Sequence, residues 1–108
     1  MESETETEKL KNGVYKTFYK NGKLWEEINY ADGILCGIMK IFTEDGKLWV
    51  EENYKAGMLH GIRKTFYENE KLWVEENYEN GKIHGFRKLF DENGNIVIEE
   101  KYEKGILI

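Results

Sequence analysis

A chain of 108 residues with a formal charge of −5 has room for one domain or one repeat array, not for two separate cores. Aromatic residues make up 14% and charged residues 34%, too aromatic for a disordered chain and too charged for a membrane-spanning one. The acidic balance argues against nucleic acid and anionic lipid as targets, and the single cysteine, Cys36, excludes an intrachain disulfide.

Residues 1–12, MESETETEKLKN, read as an acidic leader, in which four Glu and two Lys contribute −2 of the total and leave −3 on the rest. Alternating Glu with Ser and Thr offers nothing to bury, so Glu2 to Glu8 are expected to be disordered. No apolar run is long enough to span a bilayer, and no signal peptide is present. A soluble chain is expected, either cytoplasmic or exported after loss of a signal peptide.

From residue 13 onward one unit is written four times, at 13–36, 37–60, 61–84 and 85–108. The stretch KLWVEENY at Lys47 to Tyr54 returns unchanged at Lys71 to Tyr78, and the second and third units agree at 15 of 24 positions. Gly37, Gly61 and Gly85 open their units, Phe42 and Phe66 follow, and Tyr54 and Tyr78 come near the end. A fixed period of this length is the signature of a repeat architecture, and these columns are its structural positions.

Within each unit, turn signals alternate with short β-forming runs. In chain order they are Asn21-Gly22, Asp32-Gly33, Asp45-Gly46, Ala56-Gly57, Asn80-Gly81, Asn93-Gly94 and Lys104-Gly105. Gly and Asn accept positive φ cheaply, and the flanking Val, Ile, Tyr, Phe and Trp favour strands. Asn69-Glu70 breaks the pattern, so that turn is expected to be strained or of another type. The runs are too short for stable helices, and without proline nothing interrupts ladder pairing. The expected fold is all-β: an elongated, twisted antiparallel meander of about nine short strands built from four 24-residue hairpins.

Two registers fit the first hairpin. A three-residue loop at Lys20-Asn21-Gly22 pairs Phe18 with Leu24, Lys16 with Glu26 and Val14 with Ile28, which puts Val14, Phe18, Leu24, Ile28 and Tyr30 on a core face. The tryptophans then take the opposite face, where Arg63 meets Glu75 and Arg87 meets Glu99. A two-residue loop pairs Phe18 with Trp25 instead and merges the two aromatic columns on one face.

The stretch from Asn77 to Phe90, with Tyr78, Asn80-Gly81-Lys82 and His84-Gly85, resembles the MORN repeat. That repeat is a hairpin unit built around an aromatic, then Asn-Gly-Lys, then His-Gly. Tyr54 to Phe66 resembles it again, with His60-Gly61, and Tyr30 to Phe42 is a weaker copy in which Cys36 replaces His. Four copies at this period, with a second turn of the Asn-Gly-Lys type between them, are most similar to the bacterial variant often labelled an antitoxin component of toxin-antitoxin systems. The resemblance implies a single sheet used for protein or lipid contacts, without catalysis.

No residue pattern points to chemistry. His60 and His84 share a column with Cys36, but equivalent residues in a meander lie two strands apart, about 9.5 Å, too far to share a metal ion. They are expected to be structural, held by a backbone or carboxylate contact. The doublets Glu51-Glu52, Glu75-Glu76 and Glu99-Glu100 cannot flank one bond, because adjacent strand residues point to opposite faces. No cofactor and no enzymatic activity are expected. The candidate partner surface is the column Trp25, Trp49 and Trp73, rimmed by Tyr67, Arg63 and Glu75, which has the composition of a protein interface; buried core is the competing explanation. Ile106 to Ile108 form an uncharged apolar edge, which fits truncation from a longer array or pairing with a second molecule or a following domain; edge-mediated dimerisation is the expectation.

Overall fold

The computed structural model describes residues 10–108; the acidic run Glu2 to Glu8 lies outside them. The described chain is all strand and turn. Its elements are β1 (Gly13–Phe18), β2 (Leu24–Ala31), β3 (Ile34–Leu35), β4 (Gly37–Phe42), β5 (Leu48–Lys55), β6 (Met58–Leu59), β7 (Gly61–Phe66), β8 (Leu72–Glu79), β9 (Lys82–Phe90), β10 (Ile96–Glu103) and β11 (Ile106–Leu107). They form one open antiparallel sheet in which nine strands follow in the order β1-β2-β4-β5-β7-β8-β9-β10-β11, with β3 and β6 as short flanking pieces on β2 and β5. The sheet measures 56 × 37 × 16 Å, a single layer, since a second sheet would add about 10 Å of thickness.

Two kinds of turn border this ribbon. Along one margin run two-residue hairpins with positive φ at both central residues: Asp32 and Gly33, Ala56 and Gly57, Asn80 and Gly81, Lys104 and Gly105. That is the backbone of a type I′ turn. Along the other margin run three-residue loops closed by Gly22, Gly46 or Gly94 at positive φ, as the dipeptide signals imply. Glu70 keeps the same turn: its φ is +70° and its N–H donates to the Tyr67 carbonyl, as Gly22 donates to that of Tyr19. A left-handed L-residue costs roughly 1–2 kcal/mol, part of which returns because glycine loosens the unfolded chain. Glu70→Gly is therefore expected to stabilise the protein by about 0.5–1 kcal/mol, read as a rise of a few degrees in Tm.

The register combines both expected alternatives. Phe18 pairs with Leu24, as a three-residue loop requires, but Thr17 then pairs with Glu26 and Lys16 with Glu27, so Trp25 is left opposite no residue. The same bulge recurs at Trp49, Trp73 and Val97. One extra residue shifts everything beyond it onto the other face. Val14 therefore does not share a core face with Ile28 and Tyr30; it stands opposite Asn29 and is exposed, as are its equivalents Ile38, Ile62 and Phe86. Arg63 and Arg87 face Glu76 and Glu100 instead of Glu75 and Glu99. Among the described residues the one buried apolar side chain is Val50, paired with Ile41 on one side and Thr65 on the other.

Stacking between units begins upstream of Gly13. The Lys11 carbonyl accepts the Gly33 N–H at 2.8 Å, as those of Leu35, Leu59 and Ile83 accept from Gly57, Gly81 and Gly105. Asn12 Oδ1 accepts the Asp32 N–H at 2.9 Å. Lys11 and Asn12 thus hydrogen-bond to the first two-residue turn.

Candidate interaction surface

Alternation along the strands gives the two faces different chemistry. One face carries Lys16, Lys40, Lys64 and Lys88 against Glu27, Glu51, Glu75 and Glu99. The other carries a continuous ionic ladder. Arg63 Nε reaches Glu52 at 2.6 Å and its Nη1 reaches Glu76 at 3.3 Å; Arg87 Nε reaches Glu76 at 2.9 Å and its Nη1 reaches Glu100 at 3.1 Å. Glu52 and Glu76 are buried, each 8% exposed, and the hydroxyls of Tyr54, Tyr78 and Tyr102 donate to Glu52, Glu76 and Glu100. The ladder runs across units two to four; where it would continue, unit one has Ile28 and unit two Met39, both apolar.

Burial and its hydrogen bond to Glu52 push the Tyr54 phenol up to about 12. A group whose pKa rises on folding stabilises the fold below its unfolded value, near 10, and loses that contribution as pH climbs through the folded one. Urea unfolding of the wild type should therefore become easier between about pH 10 and 12. Tyr54→Phe, which has no phenol to ionise, should show a smaller fall over the same interval.

His60 and His84 join backbone to backbone. Their Nδ1 atoms accept the Asn80 N–H at 3.4 Å and the Lys104 N–H at 3.1 Å, each at the first residue of a type I′ turn in the following unit. Among the described residues no three metal-ligating side chains converge.

The tryptophans stand along the margin of three-residue turns. Trp25, Trp49 and Trp73 are 41%, 47% and 41% exposed, so they are not core. Their placement at bulges explains this, because the extra residue of a bulge is released from the pleat. Trp25 packs on Tyr19 with ring centroids 5.5 Å apart, and Trp73 stacks on Tyr67 at 5.2 Å. Each of these tyrosines also ties its unit to the next: Tyr19 donates to the Phe42 carbonyl and Tyr67 to the Phe90 carbonyl, both at 2.6 Å. Of the expected rim, Tyr67 lies beside this row. Arg63 belongs to the ionic ladder, and Glu75 stands on the opposite face, across from Lys64 and Lys88. The tryptophan row is thus bordered by tyrosines and turn residues and not by that charge pair.

Four stretches of the chain, residues 11–32, 35–56, 59–80 and 83–104, match the MORN repeat variant family. The chain belongs to that family. The matched stretches keep the 24-residue period and start two residues before the units counted from glycine, in agreement with the contacts of Lys11 and Asn12. No curated protein matches the sequence. MORN repeats are generally associated with binding to proteins or to membrane lipids, and the family is not a known enzyme family. In this MORN array a cleft of about 370 Å³ opens on the turn margin between Tyr19 and Tyr67, with Thr43, Leu48, Trp49 and Phe66 in its walls. Thr43 and Tyr19 escaped the sequence reading, although aligning Tyr19, Thr43, Tyr67 and Asp91 displays the break in the column.

Proposed function

We propose that this MORN array is a non-enzymatic module that binds a protein partner along its tryptophan margin, centred on Trp49 and extending to Trp25, Trp73 and Tyr67. The observation that carries this reading is the row of three exposed indoles on a margin where the side chains of Tyr19, Asn21, Tyr67 and Asn69 hydrogen-bond to the backbone of the following unit. Rigid, amphipathic rings presented at little entropic cost are what interface anchors require. The net charge of −5 favours a protein over an anionic membrane surface. An inhibitor dedicated to one toxin is the narrower form of the same proposal and would use the same margin.

Trp49→Ala should weaken capture of a specific partner at least tenfold, the usual consequence of removing an interface anchor, while Tm stays nearly unchanged. A large fall in Tm would mean that Trp49 supports the fold. Flotation of the full chain with anionic vesicles at low salt, abolished by Trp49→Ala, would replace the protein partner with a lipid one.

A second reading concerns the edge strand β11, where Ile106 and Leu107 are exposed and uncharged, as is Ile108 after it. We propose that it pairs with the same strand of a second copy, as unprotected edges do. Light scattering that reports a dimer, converted to monomer by Ile106→Lys, is the expected result. A monomer at high concentration would remove the idea.

A further inference from the structure

We infer that the cleft at Thr43 and Trp49 is a receptor for a tyrosine side chain of the partner polypeptide. This rests on the partner-binding reading above and adds the chemistry of the group that is bound. The argument comes from the neighbouring units, which hold that group within their own chain. In unit one the Tyr19 ring lies against Trp25 and its hydroxyl donates to the Phe42 carbonyl of the next unit. In unit three the Tyr67 ring lies against Trp73 and its hydroxyl donates to the Phe90 carbonyl. Unit two keeps the tryptophan, Trp49, and is followed by the equivalent carbonyl of unit three, that of Phe66, but has Thr43 in place of the tyrosine.

Thr43 cannot perform either task. Its hydroxyl turns back into its own loop, bonding to Asp45 and to the backbone of Lys47. Among the described residues no side chain donates to the Phe66 carbonyl, and Trp49 has no aromatic partner. A second link is interrupted at the same junction. Asn21 and Asn69 donate through Nδ2 to the carbonyls of Glu44 and Glu92 in the following units, at 2.9 and 3.2 Å. The matching residue in unit two is Asp45, which has no amide to donate to Glu68. Where the other units are stitched together by a phenol and an amide, this junction offers an open cleft of about 370 Å³, an indole face and two outward carbonyls. A tyrosine in a peptide brings the missing groups together: a ring to stack on Trp49, a hydroxyl to donate to Phe66, and N–H groups within reach of Glu68.

The test uses the full chain and N-acetyl-tyrosinamide, followed through the three indole N–H resonances, with that of Trp49 assigned from Trp49→Phe. Saturable shifts confined to Trp49 and its cleft are expected, at roughly millimolar affinity. N-acetyl-phenylalaninamide, lacking the hydroxyl, should bind about fivefold more weakly, the usual effect of one hydrogen bond. Thr43→Tyr should fill the cleft from within and abolish binding. If that variant folds poorly, Trp49→Leu, which removes the stacking platform, should also abolish it. Equal shifts at all three indoles, equal binding of N-acetyl-leucinamide, or undiminished binding by Thr43→Tyr would overturn the assignment. Failure of the tyrosine probe while Trp49→Ala still abolishes partner capture would overturn the tyrosine receptor and leave the partner-binding reading standing.

Discussion

Replacing Glu76 by alanine is expected to lower the stability of the full chain by about 2–3 kcal/mol. Its carboxylate accepts from Arg63 at 3.3 Å, Arg87 at 2.9 Å and the Tyr78 hydroxyl at 3.2 Å. It does so while only 8% exposed. Hydrogen bonds to a charged group contribute about 1.5–3 kcal/mol, and breaking a buried pair from one side costs about 3–5. The lower part of that range applies, because each arginine retains a second carboxylate, Glu52 for Arg63 and Glu100 for Arg87. Their guanidinium groups also keep contact with water, with side chains 31% exposed. The control is the adjacent residue. Glu75 stands on the other face, half-buried between Lys64 and Lys88 but without an ion pair to either among the described residues, and Glu75→Ala should cost less than about 0.5 kcal/mol. Urea titrations of the two variants side by side decide the matter: equal losses would mean that the ladder contributes nothing beyond surface charge. Because Glu76 joins units three and four, its loss should also broaden the transition, as neighbouring repeats uncouple.

The ladder also marks where the sequence stops being legible. Period, turn sites and strand direction follow from residues that are intrinsically informative, such as Asn-Gly pairs and alternating β-formers, and they predict the meander well. The hairpin mouth at Phe18 and Leu24 is equally readable, because loop length sets it. One residue further in, the bulge at Trp25 interrupts the pairing. A bulge leaves no turn dipeptide in the sequence; it is selected by how well both faces pack afterwards, a property of the whole sheet. That single step exchanges Glu75 for Glu76 as the partner of Arg63 and turns Val14 and its equivalents outward. The tryptophans are legible as a column but not as bulged and exposed residues. The cleft at Thr43 depends on a side chain that is absent, so comparing units position by position reveals it and motif reading does not.

Gly85→Ala should be nearly as damaging, by about 2–3 kcal/mol, for a reason separable into two parts. Gly85 has φ +99°, where an L-residue is strained by roughly 1–2 kcal/mol. A Cβ at this position would also sit 3.3 Å from Asn77 Nδ2, the atom that donates to the His84 carbonyl at 2.8 Å. Making room for the methyl group moves that amide and costs about 1 kcal/mol of hydrogen bonding. Gly13 isolates the first part, since its φ is +93° and a Cβ there would meet nothing within 4 Å among the described residues. Gly61 lies between them: its φ is +103° and a Cβ would touch Asn53 Cβ at 3.4 Å, while the Asn53 amide is turned away to the Ile62 carbonyl. Melting temperatures should therefore fall in the order Gly13→Ala, Gly61→Ala, Gly85→Ala, with the last the lowest. Adding Asn77→Ala to Gly85→Ala should cost less than Asn77→Ala costs alone, because the amide has already been displaced. Full additivity in that cycle would show that backbone strain alone explains why the unit opens on glycine, and that the asparagine column is independent of it.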